Sequence, residues 1–204
     1  MEHLSFTDGI AVLNMRQTVY LGIIMKVLGI VGGAKRNGNT VKLVEEVLAG
    51  AQEAGHDTVI IKLVDMKIGH LEDRNGAITF PKDDFEKIKP HLESMGALVL
   101  GAPIWFSTVD SRTHAFIQRL YWYSSYYSEE NKATWPKEAK AVNCITYGWD
   151  DFHVYDGVLN WLKEMEKGYG MKNIKGIVAE ATGEKPVESR KALLKKARDI
   201  GRNL

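Results

Sequence analysis

The chain has 204 residues, of which 45% are hydrophobic and 26% are charged. This is the composition of an ordinary globular protein, long enough for one domain with a substantial core. A formal net charge of +1 argues against nucleic acid as the main partner, and against a carrier that docks through a strongly acidic face. The single cysteine, Cys144, excludes an intrachain disulfide and cannot by itself ligate a metal cluster, so we expect a reducing, cytoplasmic setting.

The first 25 residues are set apart from the rest of the sequence. They contain two apolar patches, but Glu2, Asp8 and Arg16 interrupt any signal-peptide pattern, and no window has the apolar length of a membrane span. Residues 1–25 are therefore expected to be an N-terminal extension, and residues 26–204 a single domain. The extension is interpreted either as an artefact of start-codon choice or as an arm that packs on a neighbouring subunit.

The first half of the domain alternates short apolar runs with helical patterns. The run Val27–Val31 predicts a strand, and apolar residues recur at helical spacing from Asn39 or Thr40 until Gly55. A second strand is predicted at Thr58–Leu63. A second helix is predicted from about Pro81 to Met95, kinked or split at Pro90.

The same alternation continues to the end of the chain. Three further strands are predicted at Ala97–Ala102, Lys140–Thr146 and Lys175–Ala181. The helical patterns that follow them include Ala115–Tyr123, Tyr155–Tyr169 and Ser189–Leu204. Five mostly apolar strands that alternate with five helices predict an α/β fold, with a doubly wound parallel sheet covered on both faces.

The loop after the first strand has the features of a phosphate site. It reads Gly33-x-x-x-x-Gly38-Asn39-Thr40, with Asn39 where the nucleotide triphosphatase signature has a lysine. The glycine spacing also differs from the dinucleotide fingerprint. The pattern that remains is a monophosphate cradle of backbone N–H groups at a helix start, to which Asn39 and Thr40 add side-chain donors. An ordinary glycine-containing turn is the alternative.

A family resemblance appears when this loop is combined with a second one. Gly-Ala-Pro-Ile-Trp-Phe-Ser-Thr-Val at 101–109, followed by Ser111 and Ala115–Arg119, resembles a flavin loop of the NAD(P)H-dependent FMN reductase family. This flavodoxin-like family also includes quinone reductases and iron–sulfur flavoproteins. The resemblance extends over essentially all of 26–204 and implies a five-stranded sheet of order 2-1-3-4-5, with FMN at the switch point beside strands one and three.

The resemblance also implies which residues contact FMN. Its phosphate would be held by Gly33, Lys35, Asn37, Asn39 and Thr40. The isoalloxazine ring and ribityl chain would be lined by Pro103, Ile104, Trp105, Phe106, Ser107 and Thr108. A third flavin-side loop would consist of Thr146, Tyr147, Gly148 and Trp149. Two alternatives remain open, namely that Trp105 and Phe106 cap the core and that Tyr147 and Trp149 close a subunit interface.

The sequence departs from the family pattern in two places. Gly33-Ala34-Lys35 stands where the family often has serine, proline and arginine, so that backbone groups and a point charge replace a hydroxyl and a bidentate guanidinium. Arg36 is a candidate to compensate. In addition, residues 67–84 contain no cysteine, whereas the iron–sulfur members carry a cysteine-rich segment there, which argues against a cluster and an iron–sulfur electron-transfer role.

The resemblance implies a homodimer or homotetramer that transfers hydride from NADH or NADPH to FMN, and then to a small acceptor such as free flavin or quinone. Because the cofactor carries the chemistry, no catalytic side chain and no metal are predicted. His153 could protonate a quinol oxygen, although a lone loop histidine is usually a polar surface residue. The alternatives are a flavodoxin-type electron carrier and a flavin-free binding or regulatory protein.

Overall fold

The computed structural model describes residues 24–124, 135–136, 138–151 and 153–204. The predicted extension lies outside these residues, apart from its last two positions. The strands are β1 (Lys26–Val31), β2 (Asp57–Lys62), β3 (Glu72–Arg74), β4 (Ala77–Thr79), β5 (Ala97–Trp105), β6 (Thr108–Val109), β7 (Lys140–Thr146) and β8 (Lys172–Ala179). The helices are α1 (Asn39–Glu53), α2 (Phe85–Glu93), α3 (Ser111–Arg119), α4 (Asp156–Gly168) and α5 (Lys191–Arg202).

The main sheet has the order β2-β1-β5-β7-β8, and these five strands are all parallel. Counted along these five strands this is 2-1-3-4-5, so the predicted fold class and strand order are confirmed. β6 adds an antiparallel hairpin partner to β5, and β3 pairs with β4 in a separate two-stranded sheet. The carboxyl ends of β1 and β5 are adjacent in the sheet, which brings the loops that follow them to one edge.

Side chains alternate between two helical layers along each central strand. In β5, Leu98 and Leu100 belong to the core shared with α2, α3 and α4, whereas Val99 belongs to the core shared with α1 and α5. In β7, Ile145 belongs to the first of these cores and Cys144 to the second. Both faces of the sheet are therefore covered, as the apolar runs predicted. Within the described residues, no helix is long and apolar enough to cross a membrane.

The structure corrects the prediction for the second helix. α2 begins at Phe85 rather than near Pro81, because the Asp83 carboxylate accepts a hydrogen bond from the Phe85 N–H (2.9 Å) and thereby supports the helix start. The helix also continues past Pro90 to Glu93, so the predicted split is wrong. Burial of Ile88 and Leu92 holds the helical turn in which the proline removes one backbone donor.

Candidate functional site

The loops after β1 and β5 meet at the carboxyl edge of the sheet. Gly33 has a φ of +87°, and a Cβ built on it would lie 3.0 Å from Cγ of Pro103. The Gly32 N–H donates to the Gly101 carbonyl at 2.8 Å. A Cβ on Gly32 would overlap the Thr113 hydroxyl. Gly33 is therefore required by the turn and by the close approach of the two loops, whereas Gly32 is required by its contact with the start of α3.

The start of α1 offers backbone donors to an anion. Gly38 precedes the helix without a side-chain cap, and the first turn contains no acidic residue. The first intrahelical bond runs from the Lys42 N–H to the Gly38 carbonyl (3.0 Å), so the N–H groups of the three residues between them have no acceptor within the helix. Together with the helix dipole, this arrangement is chemically suited to a phosphate.

Basic side chains surround part of this helix start. A cavity of about 290 Å³ is lined by Lys35, Asn37, Gly38, Asn39, Lys42, Pro186 and Glu188. Arg36, the candidate to compensate for the missing family arginine, instead pairs with Asp65 at 2.6 Å. Its carbonyl also accepts a hydrogen bond from Lys62 at 3.0 Å. Lys35 and Lys42, rather than Arg36, therefore provide the positive charge that lines the cavity.

Asn39 and Thr40 both use their side chains inside the protein. Asn39 Nδ2 donates to the Thr182 carbonyl at 3.2 Å, and its Oδ1 accepts from the Val187 N–H at 2.9 Å. The Thr40 hydroxyl lies 2.6 Å from the hydroxyl of Thr146 at the end of β7. Both predicted phosphate donors thus connect the first loop to other loops of the same edge.

The loop after β5 is a tight β-hairpin. Trp105 pairs with Thr108, and the two residues between them, Phe106 and Ser107, have φ values of +48° and +63°. Positive φ at both central positions is the pattern of a type I′ turn, which is strained for residues other than glycine and asparagine. Trp105 is 62% exposed and Phe106 is 97% exposed, so the alternative that they cap the core is wrong. Ile104, in contrast, is buried.

The loop after β7 combines a buried ring with an exposed one. Tyr147 packs edge-on against Tyr155, with 4.8 Å between ring centroids, and its hydroxyl donates to the Asp151 carbonyl. Burial, followed by the nearby Glu180 charge, raises the pKa of Tyr147 to about 12. Trp149 is 66% exposed. Tyr147 therefore contributes its backbone to the edge, whereas Trp149 presents its ring, with Gly148 between them.

The segment after β8 is a fourth component, which the sequence interpretation missed. Ala181, with φ +50°, donates from its N–H to the Trp149 carbonyl at 2.9 Å. The N–H and hydroxyl of Thr182 both donate to the Tyr147 carbonyl, at 3.0 and 3.1 Å. The available signal was positional, because this segment leaves the carboxyl end of a parallel strand just as the other three loops do.

A cleft opens beside the hairpin on the α3 and α4 side of the sheet. It has a volume of about 350 Å³ and is lined by Ser107, Thr108, Val154, Tyr155, Gly157, Val158 and Trp161. The Trp161 ring stacks on His114 of α3, with centroids 6.3 Å apart. His153 is exposed, and its Nδ1 lies 2.8 Å from the Asp156 carboxylate, as expected for a polar surface residue.

The family model for NADPH-dependent FMN reductase matches residues 25–182, which include the first three loops and the start of the fourth. The chain belongs to this family. The predicted family is therefore confirmed, and with it the expected cofactor, FMN. The donors at the start of α1 and the glycines between the β1 and β5 loops fit such a cofactor. Membership does not favour the electron-carrier and flavin-free alternatives.

Individual proteins agree with this assignment. The chain is 30% identical over 99 residues to an iron-sulfur flavoprotein of Methanocaldococcus jannaschii, an alignment that covers 47% of this chain and 51% of that protein. The chain thus spans about half the length of this curated relative. An NAD(P)H:quinone oxidoreductase from Methanothermobacter marburgensis has a similar fold, with a TM-score of 0.69, 20% identity, and coverage of 88% of this chain and 98% of the other.

An azoreductase from Bacillus anthracis also has a similar fold, with a TM-score of 0.62 and 16% identity, over 89% of this chain and all of the other. At 20% and 16% identity, the similarity to these two solved structures shows a shared fold and nothing more. The fold of the family is therefore established independently of the sequence match.

Proposed function

We propose that this protein is an NAD(P)H-dependent flavin oxidoreductase that binds FMN at the carboxyl edge of its sheet. The observation that carries the proposal is the contact between the β1 and β5 loops at Gly33 and Pro103, next to a helix start with free backbone donors. A phosphate at the helix start and an aromatic ring beside the exposed hairpin would each meet a suited surface.

The phosphate would lie among the backbone N–H groups of the first loop and α1, beside the positive charges of Lys35 and Lys42 that line the cavity. The residues proposed for this part are Gly33, Lys35, Asn37, Asn39 and Thr40. The ring and ribityl chain would contact the hairpin and the third loop, namely Pro103, Ile104, Trp105, Phe106, Ser107, Thr108, Thr146, Tyr147, Gly148 and Trp149. Ile104 and Tyr147 would support the shape of the site and would not present their side chains to it, because these are buried.

When bound, FMN supplies two-electron chemistry, taking hydride from NAD(P)H and passing it to a small acceptor such as free flavin or quinone. The chain's own task is to bind and orient. The hairpin turn at Phe106 and Ser107 fixes the direction in which Trp105 projects, and the bonds from Ala181 and Thr182 fix the third loop. Orientation of this kind is sufficient for hydride transfer, so no side chain is assigned an acid–base role.

A second copy of the chain is the proposed partner, in a homodimer or homotetramer. Several exposed large apolar side chains lie near the carboxyl edge, where Phe106 is next in sequence to Ser107 and Thr108, which line the cleft together with Trp161. A protruding ring next to a cleft is the self-complementary arrangement that a two-fold interface requires. The single cysteine supports a cytoplasmic, reducing location as part of the proposal.

The test is one absorption spectrum of protein purified with FMN, before and after anaerobic addition of NADH and then NADPH. We expect that flavin co-purifies with the protein and that its absorption band is bleached within seconds by at least one of the two nucleotides. A stable band that neither nucleotide bleaches would favour the electron carrier. A protein that retains no flavin would favour the binding or regulatory protein.

A further inference from the structure

The Asn39 side chain bridges two segments that are far apart in sequence. Its Oδ1 accepts from the Val187 N–H, and its Nδ2 donates to the Thr182 carbonyl. Val187 is fully buried, so its N–H depends on this acceptor for a partner. The side-chain amide of Asn39 therefore satisfies two backbone groups of the segment after β8 and connects that segment to the first turn of α1.

The segment held by Asn39 in turn holds the third loop. The N–H and hydroxyl of Thr182 both donate to the Tyr147 carbonyl, and the Ala181 N–H donates to the Trp149 carbonyl. Ala181 is buried with a φ of +50°, a conformation that surrounding contacts must maintain. Three hydrogen bonds thus fix the third loop to a segment that is itself anchored at the start of α1.

We propose that Asn39 is a positioning residue, which sets the third loop relative to the phosphate loop through Thr182. This deepens the proposed function, on which its link to flavin rests. The Thr40–Thr146 hydroxyl pair is a shorter connection between the same two regions. The two connections begin at adjacent residues of α1, Asn39 and Thr40, and reach the adjacent residues Tyr147 and Thr146.

This role differs from direct phosphate binding in what it affects. A residue that only contacts phosphate changes the affinity for FMN but leaves riboflavin, which lacks the phosphate, unaffected. A residue that positions the third loop changes the affinity for both ligands, because that loop is assigned to the ring and ribityl chain. Loss of the bonds to Thr182 and Val187 would also speed up hydrogen exchange at the backbone amides of the segment after β8.

The experiment compares Asn39→Ala with Asn37→Ala in the full chain. Asn37 lies two residues earlier, in the loop that precedes α1, and it is exposed, with no side-chain hydrogen bond among the described residues. Hydrogen exchange without flavin is measured first. In Asn39→Ala the amides of Ala181, Thr182 and Val187 should exchange about tenfold faster than in the wild type, the effect of losing two ordinary hydrogen bonds. In Asn37→Ala they should remain unchanged.

Binding of FMN and riboflavin is then measured by flavin fluorescence. Asn39→Ala should weaken both ligands, by about tenfold each, whereas Asn37→Ala should weaken FMN alone. Thr182→Val, which removes only the hydroxyl bond to Tyr147 and keeps the side-chain shape, should show a smaller loss for both ligands. It serves as the second variant if Asn39→Ala folds poorly.

Unchanged exchange at Ala181, Thr182 and Val187 in Asn39→Ala would overturn the positioning role. So would a loss of FMN affinity with riboflavin affinity retained, which would make Asn39 a phosphate contact alone. A wild-type protein that binds neither flavin would refute the proposed function instead, and the exchange result would still decide whether Asn39 holds the segment.

Discussion

The two helical layers that cover the sheet are built differently. α1 and α5 approach so closely that a Cβ on Gly50 would meet the Arg198 carbonyl and a Cβ on Gly201 would meet the Val47 carbonyl. The opposite layer of α2, α3 and α4 instead buries polar groups, among them Arg119 and Glu166.

The difference follows from what each layer supports. The first layer carries α1, whose N-terminus forms the phosphate end of the site, and backbone contact between helices fixes its position. The second layer supports segments of irregular structure. Arg119 donates to the carbonyls of Gly69 and Pro81 and pairs with Asp83, so a buried cation organises a stretch that has few apolar side chains of its own. Buried charge replaces apolar packing there.

Removal of the Asp83 carboxylate should have the largest effect in this comparison. Asp83→Ala leaves the fully buried Arg119 guanidinium without its 2.6 Å partner, which is expected to cost about 3–5 kcal/mol. Urea unfolding measures the loss. The control is Glu164→Ala, which removes an exposed pair with Lys167 and should cost less than about 1 kcal/mol. Equal losses in the two variants would mean that Arg119 does not depend on Asp83.

Adding a methyl group at the contact between α1 and α5 should have the next largest effect. Gly201→Ala places a methyl group 1.9 Å from the Val47 carbonyl oxygen, and the helices must separate at a cost of about 3 kcal/mol. Gly168→Ala is the control, because nothing lies within 4 Å of a Cβ at that position in α4. It should be neutral or stabilising by up to about 1 kcal/mol. Both values come from thermal or urea unfolding, and a stabilised Gly201→Ala would contradict the close contact.

Glu166 makes the second layer sensitive to pH. Its Oε2 accepts from Asn143 Nδ2 at 2.8 Å, while Glu166 Oε1 and Asn143 Oδ1 have no partner among the described residues. Burial raises the pKa of Glu166 to about 7, against smaller opposing effects of Asn143 and the Lys163 charge. Because the folded-state pKa is the higher one, the protonated carboxyl's contribution is complete below about pH 4.5 and is lost as the pH rises through 7.

Glu166→Gln tests this sensitivity, since the amide supplies a donor for Asn143 without a charge. The variant should be as stable as the wild type at pH 5 and more stable at pH 8, by on the order of 2 kcal/mol. Glu164→Gln, on the exposed face of the same helix, should not change the pH dependence. Parallel stability curves for wild type and Glu166→Gln between pH 5 and 8 would show that Glu166 is not buried as described.

The sequence was sufficient to predict the sheet, because β1, β5 and β7 are nearly uninterrupted apolar runs. It was not sufficient for features that depend on tertiary approach. Gly50 and Gly201 lie 151 positions apart and have no local signature that distinguishes them from other helical glycines. Asp83 and Arg119 likewise belong to separate elements, and only the fold brings them together.

The candidate site shows the same division. Its loops were predictable from their positions at strand ends, but the two-residue hairpin was not. Its turn holds Phe106 and Ser107 where glycine and asparagine are usual, so no turn signal was present. The bonds made by Asn39 could not be predicted either, because its partners are backbone groups of Thr182 and Val187. Backbone groups are present whatever the sequence is.

The most direct test of the site is a fluorescence titration of FMN into the wild type and two glycine variants. Gly33 and Gly76 both have φ values near +85°, so alanine strains the backbone equally at either position. Only Gly33→Ala also intrudes on Pro103, since nothing lies within 4 Å of a Cβ on Gly76. We expect saturable binding, with one FMN per chain, in the wild type and in Gly76→Ala, and binding at least about tenfold weaker in Gly33→Ala. Equal affinity in all three proteins, or no saturable binding in the wild type, would contradict a flavin site between the β1 and β5 loops.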